Sequence, residues 1–105
     1  MSRLLALVSL LPVAAFAADI APAVIIRDHR FVPAEIRVPA GQKFRLTVGN
    51  QDAGPEEFES YELNREKIIP GRSKGTLFVG PLKPGRYHFF GDFNQKTAQG
   101  VIIAE

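Results

Sequence analysis

Residues 85–105, GRYHFFGDFNQKTAQGVIIAE, close the chain and decide how the rest of it is read. An aromatic run from Tyr87 to Phe90 leads into Gly91. A polar loop from Asp92 to Gln99 follows, and Gly100 then heads a β-branched run. Aromatic and β-branched stretches bounded by glycine and polar residues read as two strands joined by a loop. Alternation along the first strand sends Tyr87 and Phe89 towards a core, and His88 and Phe90 outwards. GDFN at 91–94 carries the residue types that favour a turn.

Upstream the same grammar repeats. VIIRD (24–28), AEIRVPAG (34–41), KFRLTVGN (43–50), EEFESYEL (56–63), KIIP (67–70) and GTLFVG (75–80) are short strand-like runs. PGRS (70–73) and PLKPG (81–85) separate them as turns. In KFRLTVGN the apolar Phe44, Leu46 and Val48 share one face, while Arg45 and Thr47 share the other. Ile36 and Val38 alternate with Glu35 and Arg37 in the same way. The period blurs in EEFESYEL, which predicts a bulge or corner there, and YELNREK (61–67) has room for one turn of helix. The fold expected is an all-β sandwich of about seven or eight strands.

The first segment stands apart from this pattern. MSRLLALVSLLPVAAFAAD (1–19) has a basic start at Arg3, an apolar run from Leu4 to Ala14, and a small-x-small site at Ala15–Ala17. These are the parts of a secretory leader. Residues 1–17 are expected to be removed, leaving an exported domain over 18–105, which in a bacterium places it in the periplasm. The apolar run is short for a bilayer crossing and is interrupted by Pro12. An exported chain is free to form disulfides, but the sequence has no cysteine, and its only methionine is Met1. Thiolate chemistry is excluded, and burial alone must hold the domain together. The formal charge is +2, with Arg3 supplying one unit, and no basic run occurs. Nucleic acid is therefore not an expected partner.

Strand direction gathers the polar residues. If neighbouring strands alternate in direction, the corner DHRFVP (28–33), the loop NQDAGPEE (50–57) and the loop 92–99 meet at one pole. They bring Asp28, His29, Asp52, Glu56, Glu57, Asp92, Asn94 and Gln95 there. That is an oxygen-rich set with one imidazole.

The ordered series FVPAEIRVPAG, FRLTVGNQD leading to Pro55, IIPGRS, GPLKPGRYHFFG and Gly100 resembles the cupredoxins along nearly the whole domain. The resemblance implies a cupredoxin-like Greek-key β-sandwich. In that family copper is held by a histidine after the third strand and by Cys, His and Met on the last loop. The matching positions here are Glu56, Gly91, Asn94 and Ala98. A blue-copper site needs a thiolate and two imidazoles, which this chain does not supply at those positions. PEEFES (55–60) and FFGDF (89–93) are more narrowly similar to small periplasmic cupredoxin-like proteins that accompany bacterial high-affinity iron permeases. That likeness implies a component handling iron, or iron with copper, for a membrane iron permease or other periplasmic uptake subunits. It also implies, at most, an accessory part in ferrous iron oxidation.

The candidate metal ligands are Glu56, Asp92, His29, Glu57 and His88, for an iron or copper ion. Glu56 stands at a ligand position of the family, and carboxylates suit hard cations. Asp92 follows Gly91, whose missing side chain leaves space into which that carboxylate could swing; the competing account is an ordinary turn. Glu57 faces the opposite way from Glu56 and would ligate only from the rim. Glu59 reads as a charge on an exposed strand face. His29 is a corner imidazole and His88 an outward strand imidazole, and for each the competing account is a solvated side chain, which an outward strand position favours for His88. Asn94 reads as a loop hydrogen-bonding residue. Phe90 and Phe93 near the pole would form a docking patch or cover a sandwich end. No arrangement typical of an independent enzyme is visible. Two readings remain: a metal-binding protein with a carboxylate-rich pole, and a metal-free interaction module built on a former copper fold.

Overall fold

The computed structural model describes residues 20–105. The leader expected at 1–17, and the first two residues of the domain expected at 18–105, lie outside that range. Nine strands form: β1 (Ala23–Arg27), β2 (Arg30–Val32), β3 (Glu35–Val38), β4 (Phe44–Asn50), β5 (Glu56–Ser60), β6 (Arg65–Ile69), β7 (Ser73–Val79), β8 (Gly85–Gly91) and β9 (Gln99–Ala104). A single 3₁₀ turn, Asp92–Asn94, lies between the last two. The strands make two sheets, ordered β2-β1-β4-β7 and β3-β9-β8-β5-β6. The all-β sandwich expectation holds.

The strand beyond the eight runs visible in the sequence is β2, inside the DHRFVP corner. Asp28 and His29 both adopt left-handed backbone conformations, with φ of 52° and 57°. Arg27 thereby faces Arg30 across a two-residue hairpin. Two consecutive left-handed residues are what the tight turns of twisted hairpins require. At Pro33–Ala34 the chain passes from one sheet to the other, and β3 then runs parallel to β9. The helical turn allowed at YELNREK does not form. Tyr61–Asn64 is a hydrogen-bonded turn, with Asn64 N–H donating to the Tyr61 carbonyl at 3.1 Å, and β6 begins at Arg65.

Alternation fills the space between the sheets. Phe44, Leu46 and Val48 of β4 are buried, as are Ile36 and Val38 of β3, and Phe58, Phe89 and Ile102 are wholly so. Each such side chain contributes on the order of 1.5–3 kcal/mol through removal from water. Phe58 stacks on Phe89 at 5.1 Å between ring centres, and Phe31 of β2 meets Phe89 edge-on at 4.9 Å. Gly100 is required beside them, because any side chain there would overlap the Phe89 ring. At the side where β6 and β7 close the sandwich, Arg65 Nε donates to the Phe78 carbonyl at 2.9 Å and Lys67 Nζ to the Thr76 carbonyl at 3.2 Å. Both sheets and the core between them are built from residues 20–105.

β1 runs parallel to β4, and β8 runs antiparallel to β9 and β5. The β1–β2, β4–β5 and β8–β9 connections therefore meet at one end, as alternation predicted. The β6–β7 connection joins them there, with Arg72 N–H donating to the Asp52 carbonyl at 2.9 Å.

Candidate functional site

At the pole the backbone of each connection is fixed by a side chain from another. The Asp52 carboxylate accepts from Asp28 N–H at 2.9 Å and from His29 N–H at 3.0 Å, so one acid holds the β1–β2 turn. The His29 and Asp28 amides hold its carboxyl below the usual range. Asn50, buried beneath, accepts from Asp52 N–H at 3.0 Å and donates to the carbonyls of Gly54 and Ile69. Thr97 Oγ1 donates to the His29 carbonyl and ties the last loop to the first turn.

Glu56 occupies the centre. It is 2% exposed, and its carboxyl group points between β5 and the β8–β9 loop. Oε1 accepts from Glu57 N–H at 3.0 Å and from Phe93 N–H at 2.9 Å. Oε2 accepts from Asn94 Nδ2 at 2.6 Å. A Cβ placed on Gly91 would lie 2.6 Å from Glu56 Cδ and 2.7 Å from Ala98 Cβ. The gap left by Gly91 is filled by Glu56 rather than by Asp92. The four positions matched to copper ligands, Glu56, Gly91, Asn94 and Ala98, thus still converge. They converge as a carboxyl–amide plug over two residues with little or no side chain. A thiolate–imidazole copper centre does not fit them: the donors are absent, and the Glu56 carboxyl group stands where a side chain at 91 would begin.

The other candidates are dispersed. Asp92 is half-buried, and its Oδ1 accepts from Gln95 Nε2 at 2.9 Å within the turn. His29 is exposed on the left-handed hairpin. His88 points outwards from β8, stacks on Phe90 at 5.9 Å and hydrogen-bonds Gln99 through Nε2. Phe90 shares that outward face as alternation required, yet it is buried, with Tyr61 at 5.5 Å over it. The exposed pair expected of Phe90 and Phe93 reduces to Phe93 alone.

Glu57 is the candidate that gains neighbours. Alternation turns it to the outer face of the five-stranded sheet beside Glu59, and the β5–β6 register sets Glu59 directly opposite Glu66. One carboxylate oxygen from each of Glu57, Glu59 and Glu66 lies within 4.8 Å of the others. Among the described residues this is the one such group of three or more acidic, histidine or cysteine side chains. A hydrogen bond shared with Glu57, with the nearby Glu66 charge, pushes Glu59 up to about 7. Glu59 thereby keeps its proton to higher pH than an isolated glutamate would, and a cation would serve in that proton's place.

Glu59 and Glu66 were not identified as ligands from sequence, because their meeting depends on strand register. The burial of Glu56 had a legible signal. Glu56, Phe58 and Ser60 occupy alternate positions, so the strand face that buries Phe58 also buries Glu56.

The comparisons with known proteins agree with this architecture. The model of a cupredoxin-like domain family matches residues 2–104. An uncharacterized protein of Rickettsia prowazekii (strain Madrid E) is 50% identical over 80 residues; these make up 76% of this chain but 64% of the relative, so the chain spans less than two thirds of that protein. Among solved structures, auracyanin A, described as a "blue" copper protein from Chloroflexus aurantiacus, superposes with a TM-score of 0.73 at 11% identity, covering 84% of this chain and all of the other. Amicyanin from Paracoccus versutus gives 0.64 at 18% identity, over 85% and 88% of the two chains. A chain of a heme-copper terminal oxidase dimer gives 0.70 at 20% identity, over 87% and 68%. Likeness at these identities concerns the fold. With a family model that spans almost its full length, the chain belongs to the cupredoxin-like domain family.

Proposed function

We propose that the chain is an exported, periplasmic cupredoxin-family component of a bacterial iron-uptake system. It takes a hard cation, iron(III) or copper(II), on carboxylates and passes it to a membrane iron permease or another periplasmic uptake subunit. The observation that carries this reading is the convergence of Glu57, Glu59 and Glu66 within 4.8 Å, with Glu59 raised to about 7. Oxygen donors in that number suit hard cations, and accumulated negative charge favours iron(III) over iron(II). Any assistance to ferrous oxidation would come from that preference, with the electron leaving to an external acceptor. Of the pole residues taken as candidate ligands, Asp92 and His29 are accessible from solvent; Glu56 would have to release three protein donors to bind an ion.

Calorimetric titration of residues 18–105 with iron(III) citrate and with copper(II), followed also by absorbance, tests the reading. Binding at micromolar concentration without an intense blue band is expected. The double variant E57Q/E59Q should abolish it and E56Q should not. Binding lost in E56Q but kept in E57Q/E59Q would move the site to the pole, and no binding of either ion would end the proposal.

The Glu56 plug favours a second reading, a metal-free docking module in which the pole became a rigid face. It predicts capture of a permease or uptake subunit that persists in the presence of chelator. Chelator-sensitive capture would refute it.

A further inference from the structure

The two outer faces of the sandwich carry opposite charge. On the four-stranded sheet the outward positions include Arg30 on β2, Arg27 on β1, Arg45 on β4 and Lys74 on β7, one cation per strand, and no outward strand position is acidic. Among the described residues no carboxylate forms an ion pair with any of the four; the salt bridges join Arg37 to Glu35 and Glu105, on the other sheet. That other sheet turns Glu35, Glu57, Glu59 and Glu66 outwards against Arg37 and Arg86, four acids to two bases. The chain is close to neutral, so this is segregation of charge rather than excess.

We propose that the outer face of the four-stranded sheet docks on an anionic phospholipid bilayer surface. Its cations are spread over all four strands of a sheet face instead of converging on one point. Mobile lipid headgroups can gather beneath dispersed cations, whereas the fixed carboxylates of a protein would need a matching pattern. Apolar side chains stand among the cations. Phe78 is 58% exposed with Lys43 Nζ 5.4 Å above its ring, and Val32 is 41% exposed. Aromatic and basic side chains together suit the headgroup layer. Between Lys74 and Arg72 on one side and Ala23 and Ile25 on the other lies an open groove of about 550 Å³, floored by Thr47 and Gly49, with room for a headgroup. Docked in this way, the sandwich directs its carboxylate face away from the membrane. The inference stands on charge placement alone and does not require a bound metal.

Sedimentation of residues 18–105 with phosphatidylglycerol-containing vesicles, with pure phosphatidylcholine vesicles as reference, tests it. Binding to the anionic vesicles alone is expected, weakening as salt is raised. Each cation at such a surface is worth about a fivefold factor in partition, so R45E/K74E should weaken binding by at least about twentyfold. The control R86E/R37E makes the same change in net charge on the opposite sheet and should change binding by less than about threefold, under the roughly fivefold that a single cation at the surface contributes. Absence of binding to anionic vesicles, or equal losses in the two variants, would overturn the proposal. Retention on immobilised poly-glutamate without vesicle binding would also overturn it, and would assign the face to an acidic protein.

Discussion

Glu56 and Glu57 are neighbours in the chain and opposites in the structure. Glu56 points inwards at the pole, where three protein donors meet its two oxygens. Glu57 points outwards beside Glu59 and Glu66, and its hydrogen bond to Glu59 helps to push Glu59 up to about 7. One carboxyl group has its donors within the chain; the others face one another as like charges. The two-residue period of a strand makes this difference, and it separates the carboxyl group at a position matched to a family copper ligand from the three that face solvent together.

The largest test of the contrast is truncation. E56A leaves the Phe93 amide and the Asn94 side chain without their acceptor in a buried space and should destabilise by about 3 kcal/mol, whereas E57A should stay within about 0.5 kcal/mol of the parent. Urea unfolding of the two variants measures this, and equal losses would erase the distinction. Next comes G91A, whose methyl group must displace the Glu56 carboxyl group or Ala98; a loss of about 1–3 kcal/mol is expected. In the E56A background that loss should shrink, and a double-mutant cycle reads the coupling. If the two losses simply add, Glu56 is not what fills the space at 91.

Smaller effects follow from titration. Asp52 lies below its unfolded value, so its contribution is present above the ordinary carboxylate range and is lost as pH falls through the folded pKa. D52N should remove part of the acid-side decline in melting temperature and lower stability at neutral pH by about 1 kcal/mol. Glu59 behaves in the reverse sense. Raised from 4.5 to about 7, it binds more proton in the folded state, so its deprotonation erodes stability as pH rises across that window. E59Q should flatten melting temperature over that range. Saturating iron(III) or copper(II) should do the same for the parent, since a cation replaces the proton.

Much of the fold was legible because alternation is a local property. Phe44, Leu46 and Val48 were assigned to one face and are buried there, and the meeting of the 28–33, 50–57 and 92–99 connections followed from strand direction. β2 was not legible, since its hairpin turn is Asp-His rather than a glycine-containing pair, and only the left-handed φ values reveal it. At the pole the space beside Gly91 was foreseen, with Asp92 offered as its occupant and an ordinary turn as the competing account; the turn is what forms. Glu56 lies thirty-five positions away along the chain and reaches that space through β5–β8 pairing. The meeting of Glu59 with Glu66 likewise depended on a register that neither residue announces. The faces of each strand and the pole that the connections share could be read from the sequence, and the registers between strands could not.

The bonds from Arg65 to the Phe78 carbonyl and from Lys67 to the Thr76 carbonyl have a consequence for self-association. β7 is an outer strand of its sheet, and a bare row of carbonyls there would template a strand from another molecule. Long cationic side chains engage two of those carbonyls and place charge across the approach, so a second chain meets repulsion where it would otherwise find partners. In a domain with no cysteine to cross-link it, these two side chains guard the open border of the four-stranded sheet.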